Sequence, residues 1–162
     1  MKLEHIAPYL PYKLNVRMPK HQFKYGEQIT LPLNGISISS EGKMIMEFLK
    51  PDDGLLFSNE CERKCLPILR PLSDLTKSIT HNGETFVPIE KLKDYYNSLP
   101  DSFVEKLLWV AWDGQFTVFG LEEDPLEVAM PYSMYQKVFE WHFDVFGLID
   151  SGEAIDINTL KS

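Results

Sequence analysis

Cysteine is scarce in this chain of 162 residues, with only Cys61 and Cys65. A small domain held by a disulfide framework needs several pairs, so that class of scaffold is excluded. Long hydrophobic runs are missing too: no uncharged apolar stretch approaches the ~18 residues of a membrane span, and no membrane partner is expected. The opening "MKLEHIAPYLPY" has Glu4 and His5 where a secretion signal needs an apolar segment. No such signal is expected; the protein is placed in the cytoplasm and its cysteines are expected reduced. Positive charge is short, with 16 Lys+Arg against 24 Asp+Glu and a net charge of −8. That excludes broad, non-specific nucleic-acid binding, which needs basic surface to displace counterions. Also absent are the G-x-S-x-G elbow, the phosphate-cradling and dinucleotide glycine motifs, and H-E-x-x-H. Catalytic residues, a resident metal and a cofactor are therefore left unassigned, and an enzyme is the less favoured class.

What is there is core material. The chain is 44% hydrophobic and 12% aromatic, enough for a buried interior. Its length suggests a single domain over 1–162, with sub-lobes over 1–72, mainly β, and 73–162, mainly α. Charge is uneven. Residues 1–80 carry 11 Lys+Arg against 9 Asp+Glu, and residues 81–162 carry 5 against 15. The first 26 residues hold Lys2, Lys13, Arg17, Lys20 and Lys24 against Glu4. Such asymmetry arises when two halves attract each other, or when a basic arm contacts a partner.

In "KLNVRM", Leu14, Val16 and Met18 alternate with polar residues, the period of a half-buried strand. Asn34-Gly35 sits between the alternating segments "ITLPL" and "ISIS" and predicts a hairpin turn. Pro32 cannot donate to a ladder, which sends its strand to an edge. "KMIMEFL" and "LLFS" read as further strands around the turn "KPDDG". Pro67 and Pro71 make "CLPILRPLSDL" an extended hinge. "HNG" marks a turn before the strand "ETFV", and Pro88 opens a helix over "PIEKLKDYYNSL". Residues 101–119 carry two conflicting signals. Ser102 and Glu105 form a capping box, whereas Asp113-Gly114 suits a hairpin turn. A short helix followed by a strand from Gln115 to Phe119 satisfies most of both.

The last helix is predicted from Ser133, capped with Gln136, along an apolar stripe of Met134, Tyr135, Val138, Phe139, His142, Val145 and Phe146. Gly147 fits the left-handed position that ends it. The fold class is therefore α+β: a small antiparallel sheet, meander or SH3-like, from the N-terminal half, packed against helices of the C-terminal half.

His142 and Asp144 stand two residues apart, about 200° round a helix, so they do not form a dyad. His142 is read as a core histidine facing inward, Asp144 as outward. A ligand or acid–base role for His142 is the alternative. Cys61-x3-Cys65 has zinc-ligand residue types, with His81 as an isolated third, but zinc sites take two close pairs. Glu122, Glu123, Asp124 and Glu127 read as a solvated acidic face, and Asp52-Asp53-Gly54 as a turn rather than a calcium loop. Lys13, Arg17, Lys20 and Lys24, interleaved with Tyr9, Tyr12, Phe23 and Tyr25, are the residues a nucleic-acid-binding arm would use.

The phrases "IAPYLPYKL", "CLPILRPLSDL", "HNGETFVPIEKL" and "EWHFDVFGLIDSGEAIDINTL" together resemble a group of short uncharacterised proteins encoded in phage-like and mobile elements of gut Bacteroidetes. They cover about a third of the chain. The resemblance implies an accessory protein of a bacteriophage or prophage, and it carries no catalytic residue over. The leading expectation is thus a non-enzymatic accessory or protein-interaction protein whose partner and oligomeric state the sequence does not name. A nucleic-acid-binding module is the alternative, and a small metal-dependent or hydrolytic enzyme the second alternative.

Overall fold

The computed structural model describes residues 2–18, 29–49, 56–60, 65–97, 109–112, 116–119, 128–129 and 132–160, with backbone only at 56–60, 96–97, 109–112, 116–119 and 128–129. The chain divides into two compact units, residues 1–71 with 139–162, and residues 72–138. Helices and small, mostly antiparallel sheets occur together, an α+β architecture. Among the described residues no helix is long and apolar enough to cross a membrane.

The first unit begins with a short helix α1 (Leu3–Ile6) that tightens into a 3-10 turn over Ala7–Tyr12, where two prolines favour the narrower winding. Lys13, at φ 53°, ends it in the left-handed region. Strand β1 (Asn15–Arg17) follows, then β2 (Thr30–Pro32). Burial alternates as the sequence periodicity requires: Leu14, Val16 and Met18 are fully buried, and Lys13 and Asn15 are exposed. Strands β3 (Gly35–Ile38), β4 (Met44–Leu49) and β5 (Leu56–Glu60) form an antiparallel meander. Its Met46 and Phe48 are fully buried.

Strand β6 (Leu66–Leu69) runs between β1 and the final strand, β12 (Ile155–Asp156), in the order β12-β6-β1-β2. Pairing with β1 is antiparallel, but β12 lies parallel to β6, so this sheet is mixed. Pro32 lies on the edge strand β2 as its missing N–H demands.

The second unit holds a 3-10 turn at Leu72–Thr76, the hairpin β7 (Ile79–His81) and β8 (Glu84–Phe86), and helix α2 (Pro88–Asn97). Asn82 and Gly83 both take positive φ, 49° and 83°, the pattern that a two-residue hairpin turn needs. Leu75, Ile79, Ile89 and Leu92 are buried in this unit. Strands β9 (Trp109–Trp112), β10 (Phe116–Phe119) and β11 (Val128–Ala129) make a further antiparallel sheet. Helix α3 (Tyr132–Glu140) then carries the chain into the segment 141–160, which belongs to the first unit.

Several local expectations fail for identifiable reasons. Asn34-Gly35 is not a hairpin turn, because β2 and β3 belong to different sheets. The Asn34 N–H instead donates to the Glu47 carbonyl at 2.9 Å, while Gly35 pairs opposite that same Glu47. Two residues thus face one, as in a bulge. A Cβ at Gly35 would meet the Glu47 carboxylate, the far end of a flexible side chain that would have to turn aside. "CLPILRPLSDL" is not a hinge but supplies β6, an interior strand, with Pro67 opposite Val16. Residues 109–112 are strand rather than helix; Trp112 pairs with Phe116 across three residues, so the hairpin signal wins there. The capping-box residues Ser102 and Glu105 lie outside the described residues.

The largest correction concerns the last helix. It starts at Tyr132, one residue before the expected cap Ser133, and stops at Glu140, well short of Gly147. The left-handed terminator is His142, at φ 60°, whose N–H donates to the Phe139 carbonyl at 3.0 Å. That bond has the 5→2 spacing of a helix C-terminal motif, with histidine where glycine is usual.

Candidate functional site

The segment 139–149 holds His142 and Asp144, and the 3-10 turn over Ala7–Tyr12 bonds to it. Tyr9 is the centre. Its ring stands edge-on to Phe139, with centroids 5.0 Å apart at 81°, and edge-on to Phe146 at 6.4 Å. Phe146 in turn stacks on Phe139 at 5.9 Å and on His5 at 5.2 Å. Edge-to-face and offset contacts of this kind put ring edges against electron-rich faces. The Tyr9 hydroxyl donates to the Phe143 carbonyl at 2.6 Å and accepts from the Val145 N–H at 3.4 Å. Burial pushes the phenol well above its ordinary range, the Val145 hydrogen bond opposes this and the Asp144 charge adds to it, so the group remains a neutral donor.

Arg70 and Phe143 form a parallel bridge: the Arg70 N–H donates to the His142 carbonyl, and the Asp144 N–H to the Arg70 carbonyl, both at 2.8 Å. The chain beyond β6 is thereby tied to the chain beyond α3. Asp144, 5% exposed, is buried rather than outward-facing, because residue 144 lies past the helix and helical phase no longer applies. Its two carboxylate oxygens accept the N–H groups of Leu148 at 2.8 Å and Ile149 at 2.7 Å. The carboxylate closes the turn 144–149, inside which Gly147 takes φ 68°.

His142 is half-buried, and its Nε2 lies 2.9 Å from the Tyr12 carbonyl, which makes that nitrogen the ring's N–H donor. The side chain thus pins the end of the 3-10 turn, one residue before left-handed Lys13. His142→Ala should cost about 1–2 kcal/mol, from the lost hydrogen bond to the Tyr12 carbonyl. His142→Gly should cost less, because glycine relieves the left-handed backbone that histidine and alanine both strain. Urea unfolding curves of both variants check this; equal losses would show that the backbone conformation contributes nothing.

The other expected positions do not join this one. Cys65 is buried with its Sγ 3.9 Å from Met18 Sδ, an apolar setting. Cys61, Lys20, Lys24, Asp52, Asp53, Gly54 and the acidic residues 122–127 lie outside the described residues. His81 pairs across its hairpin with Glu84, in the second unit. Arg17 lies on β1 and is partly exposed, whereas Lys13 is exposed in the left-handed turn before that strand. Among the described residues no group of three His, Cys, Asp or Glu side chains is placed to hold a metal ion.

Sequence reasoning missed Arg70 and Tyr9 as organisers. The clustering of Tyr9 and Tyr12 with prolines pointed to local packing, but nothing local marks a partner more than 130 residues away. No family model, no curated protein and no solved structure matches the chain.

Proposed function

We propose that the protein is a non-enzymatic accessory protein of a bacteriophage or prophage, made in the bacterial cytoplasm, which acts by binding another protein. The observation that supports this reading is where the chemistry-bearing groups of the 139–149 segment are spent. The His142 Nε2 is held by a main-chain carbonyl, the Tyr9 hydroxyl donates to another, and both Asp144 oxygens are taken by main-chain N–H groups. A general base or nucleophile needs a lone pair or proton available to substrate, whereas the Tyr9 hydroxyl, both Asp144 oxygens and the His142 Nε2 proton serve the fold. The resemblance of the four quoted phrases to proteins of phage-like elements supplies the setting.

Affinity capture with the intact chain from a native host undergoing prophage induction tests the reading. A single protein recovered in near-stoichiometric amount, and retained through nuclease treatment, is the expected result. Recovery of nucleic acid in its place would overturn it. So would a cellular activity abolished in His142→Ala at an unchanged melting temperature, since that outcome gives the imidazole a chemical task.

A further inference from the structure

Asn-Gly is a dipeptide whose main chain readily attacks its own side chain, because glycine puts no Cβ beside the attacking nitrogen. The chain contains it twice, at Asn34-Gly35 and at Asn82-Gly83. The chemistry is the same at both. The glycine main-chain nitrogen bonds to the asparagine Cγ, the Cγ–Nδ2 bond breaks, and Nδ2 leaves as ammonia with the proton that the attacking nitrogen gave up. The five-membered imide then takes up water at one of its two carbonyls. Opening at Cγ leaves aspartate. Opening at the main-chain carbonyl leaves isoaspartate, whose main chain runs through one additional carbon. Water is the co-reactant, and nothing is oxidised or reduced.

The fold sets the two dipeptides apart. Ring closure needs the asparagine to rotate out of its folded position, so the reactive state is a local opening. At Asn34 the N–H donates to the Glu47 carbonyl at 2.9 Å, and Gly35 pairs opposite Glu47 in β3. Leu33 is buried next to them, and Met46, opposite Ile36, is fully buried. Opening there pulls a strand from the core. The Glu47 carboxylate, bonded to the Ser37 hydroxyl at 3.2 Å, also stands beside Gly35, where its charge opposes loss of a proton from the glycine nitrogen. Asn82 and Gly83 are both exposed at the tip of the β7–β8 turn, and no heavy atom lies within 4 Å of where a Gly83 Cβ would stand. Every residue from Thr80 to Thr85 is exposed or half-buried, so this tip opens without uncovering a core side chain.

We infer that Asn82-Gly83 is a site of spontaneous deamidation and that the fold protects Asn34-Gly35 from the same reaction. The product alters the hairpin in two ways. A new carboxylate joins residues 81–162, which already carry 15 Asp+Glu against 5 Lys+Arg. Isoaspartate also lengthens a turn whose flanking pairs, His81 with Glu84 and Thr80 with Thr85, fit two ordinary residues.

The test incubates the full chain in mildly alkaline water enriched in heavy oxygen, then reads its peptides by mass spectrometry. Peptides holding residues 82–83 should gain the label and the mass of amide-to-acid conversion at least about tenfold faster than those holding 34–35. The chain unfolded in guanidinium chloride should label the two sites within about threefold of each other, because the fold no longer separates them. Comparable rates in the folded chain, faster labelling at 34–35, or a difference that persists in guanidinium would each overturn the inference. So would a folded chain in which 82–83 stays unlabelled over the time that converts it fully when unfolded.

Discussion

Asp144→Ala should lower the unfolding free energy by about 3–4 kcal/mol, among the largest losses from any single side chain in the first unit. The carboxylate accepts two main-chain N–H groups, those of Leu148 and Ile149, and is itself 5% exposed. A hydrogen bond to a charged acceptor contributes about 1.5–3 kcal/mol, and alanine leaves both donors without a partner. Leu148 is fully enclosed, so water does not replace the lost acceptor there without opening the turn. The consequence spreads because the Asp144 N–H also donates to the Arg70 carbonyl. Loosening the turn therefore loosens the bridge that joins the chain after β6 to the chain after α3. Asp144→Asn should recover roughly half the loss, since its one carbonyl oxygen still accepts while its amide nitrogen faces a donor. Urea unfolding followed by tryptophan fluorescence measures both variants, with buried Trp141 three residues away as a reporter. A midpoint for Asp144→Ala equal to that of the unmodified chain would mean that the carboxylate does not hold the turn.

How far the sequence could reveal this arrangement depends on the range of the interactions involved. Signals set within a few residues were readable. The alternation of Leu14, Val16 and Met18 marked β1 with its inward face, Asn82-Gly83 marked the β7–β8 turn, and Pro88 marked the start of α2. Pro32 reached an edge strand because a missing N–H is a local fact. Asn34-Gly35 misled because its turn propensity is local whereas the partner that decides its geometry, Glu47, is thirteen residues away.

The segment 141–149 misled for a different reason. His142, Val145 and Phe146 continue the apolar spacing of α3, and periodicity alone does not separate residues buried by a helix from residues gathered by a returning loop. The chain leaves the helix at Glu140 because His142 takes up the left-handed position, its ring nitrogen bonded to Tyr12 and its carbonyl to Arg70. Phe146 then emerges partly exposed, stacked on His5, instead of lying in a helical stripe. His142 is only half-buried, its ring held by the Tyr12 carbonyl, and the helical phase that turned it inward does not apply. Asp144 shows the cost of that error: helical phase turned it outward, and the turn buries it.

Tyr9 should prove the most sensitive side chain of the N-terminal segment, and two substitutions separate its ring from its hydroxyl. Tyr9→Ala should cost about 4–5 kcal/mol, by analogy with the loss of a buried aromatic ring and the cavity it leaves. The ring is fully enclosed and stands against both Phe139 and Phe146, so the aromatic cluster loses its central member. Tyr9→Phe keeps the ring and should cost about 1–2 kcal/mol, from the lost bond to the Phe143 carbonyl. The hydroxyl adds a pH signature. Burial raises the folded-state value above the ordinary tyrosine value of about 10, so the unfolded chain releases this proton first as pH rises. The folded state then binds more protons than the unfolded state, and the slope of stability against pH is negative. Tyr9 therefore contributes its full stabilisation below pH ~10 and loses it progressively above, towards the raised folded-state value. Tyr9→Phe has no such proton, so its stability curve should fall less steeply in alkali than that of the unmodified chain. The difference between the two curves isolates this one group from the other tyrosines and the lysines. Parallel curves through the alkaline range would show that the Tyr9 hydroxyl is not shut away from water in the folded state, against the burial that raises its value.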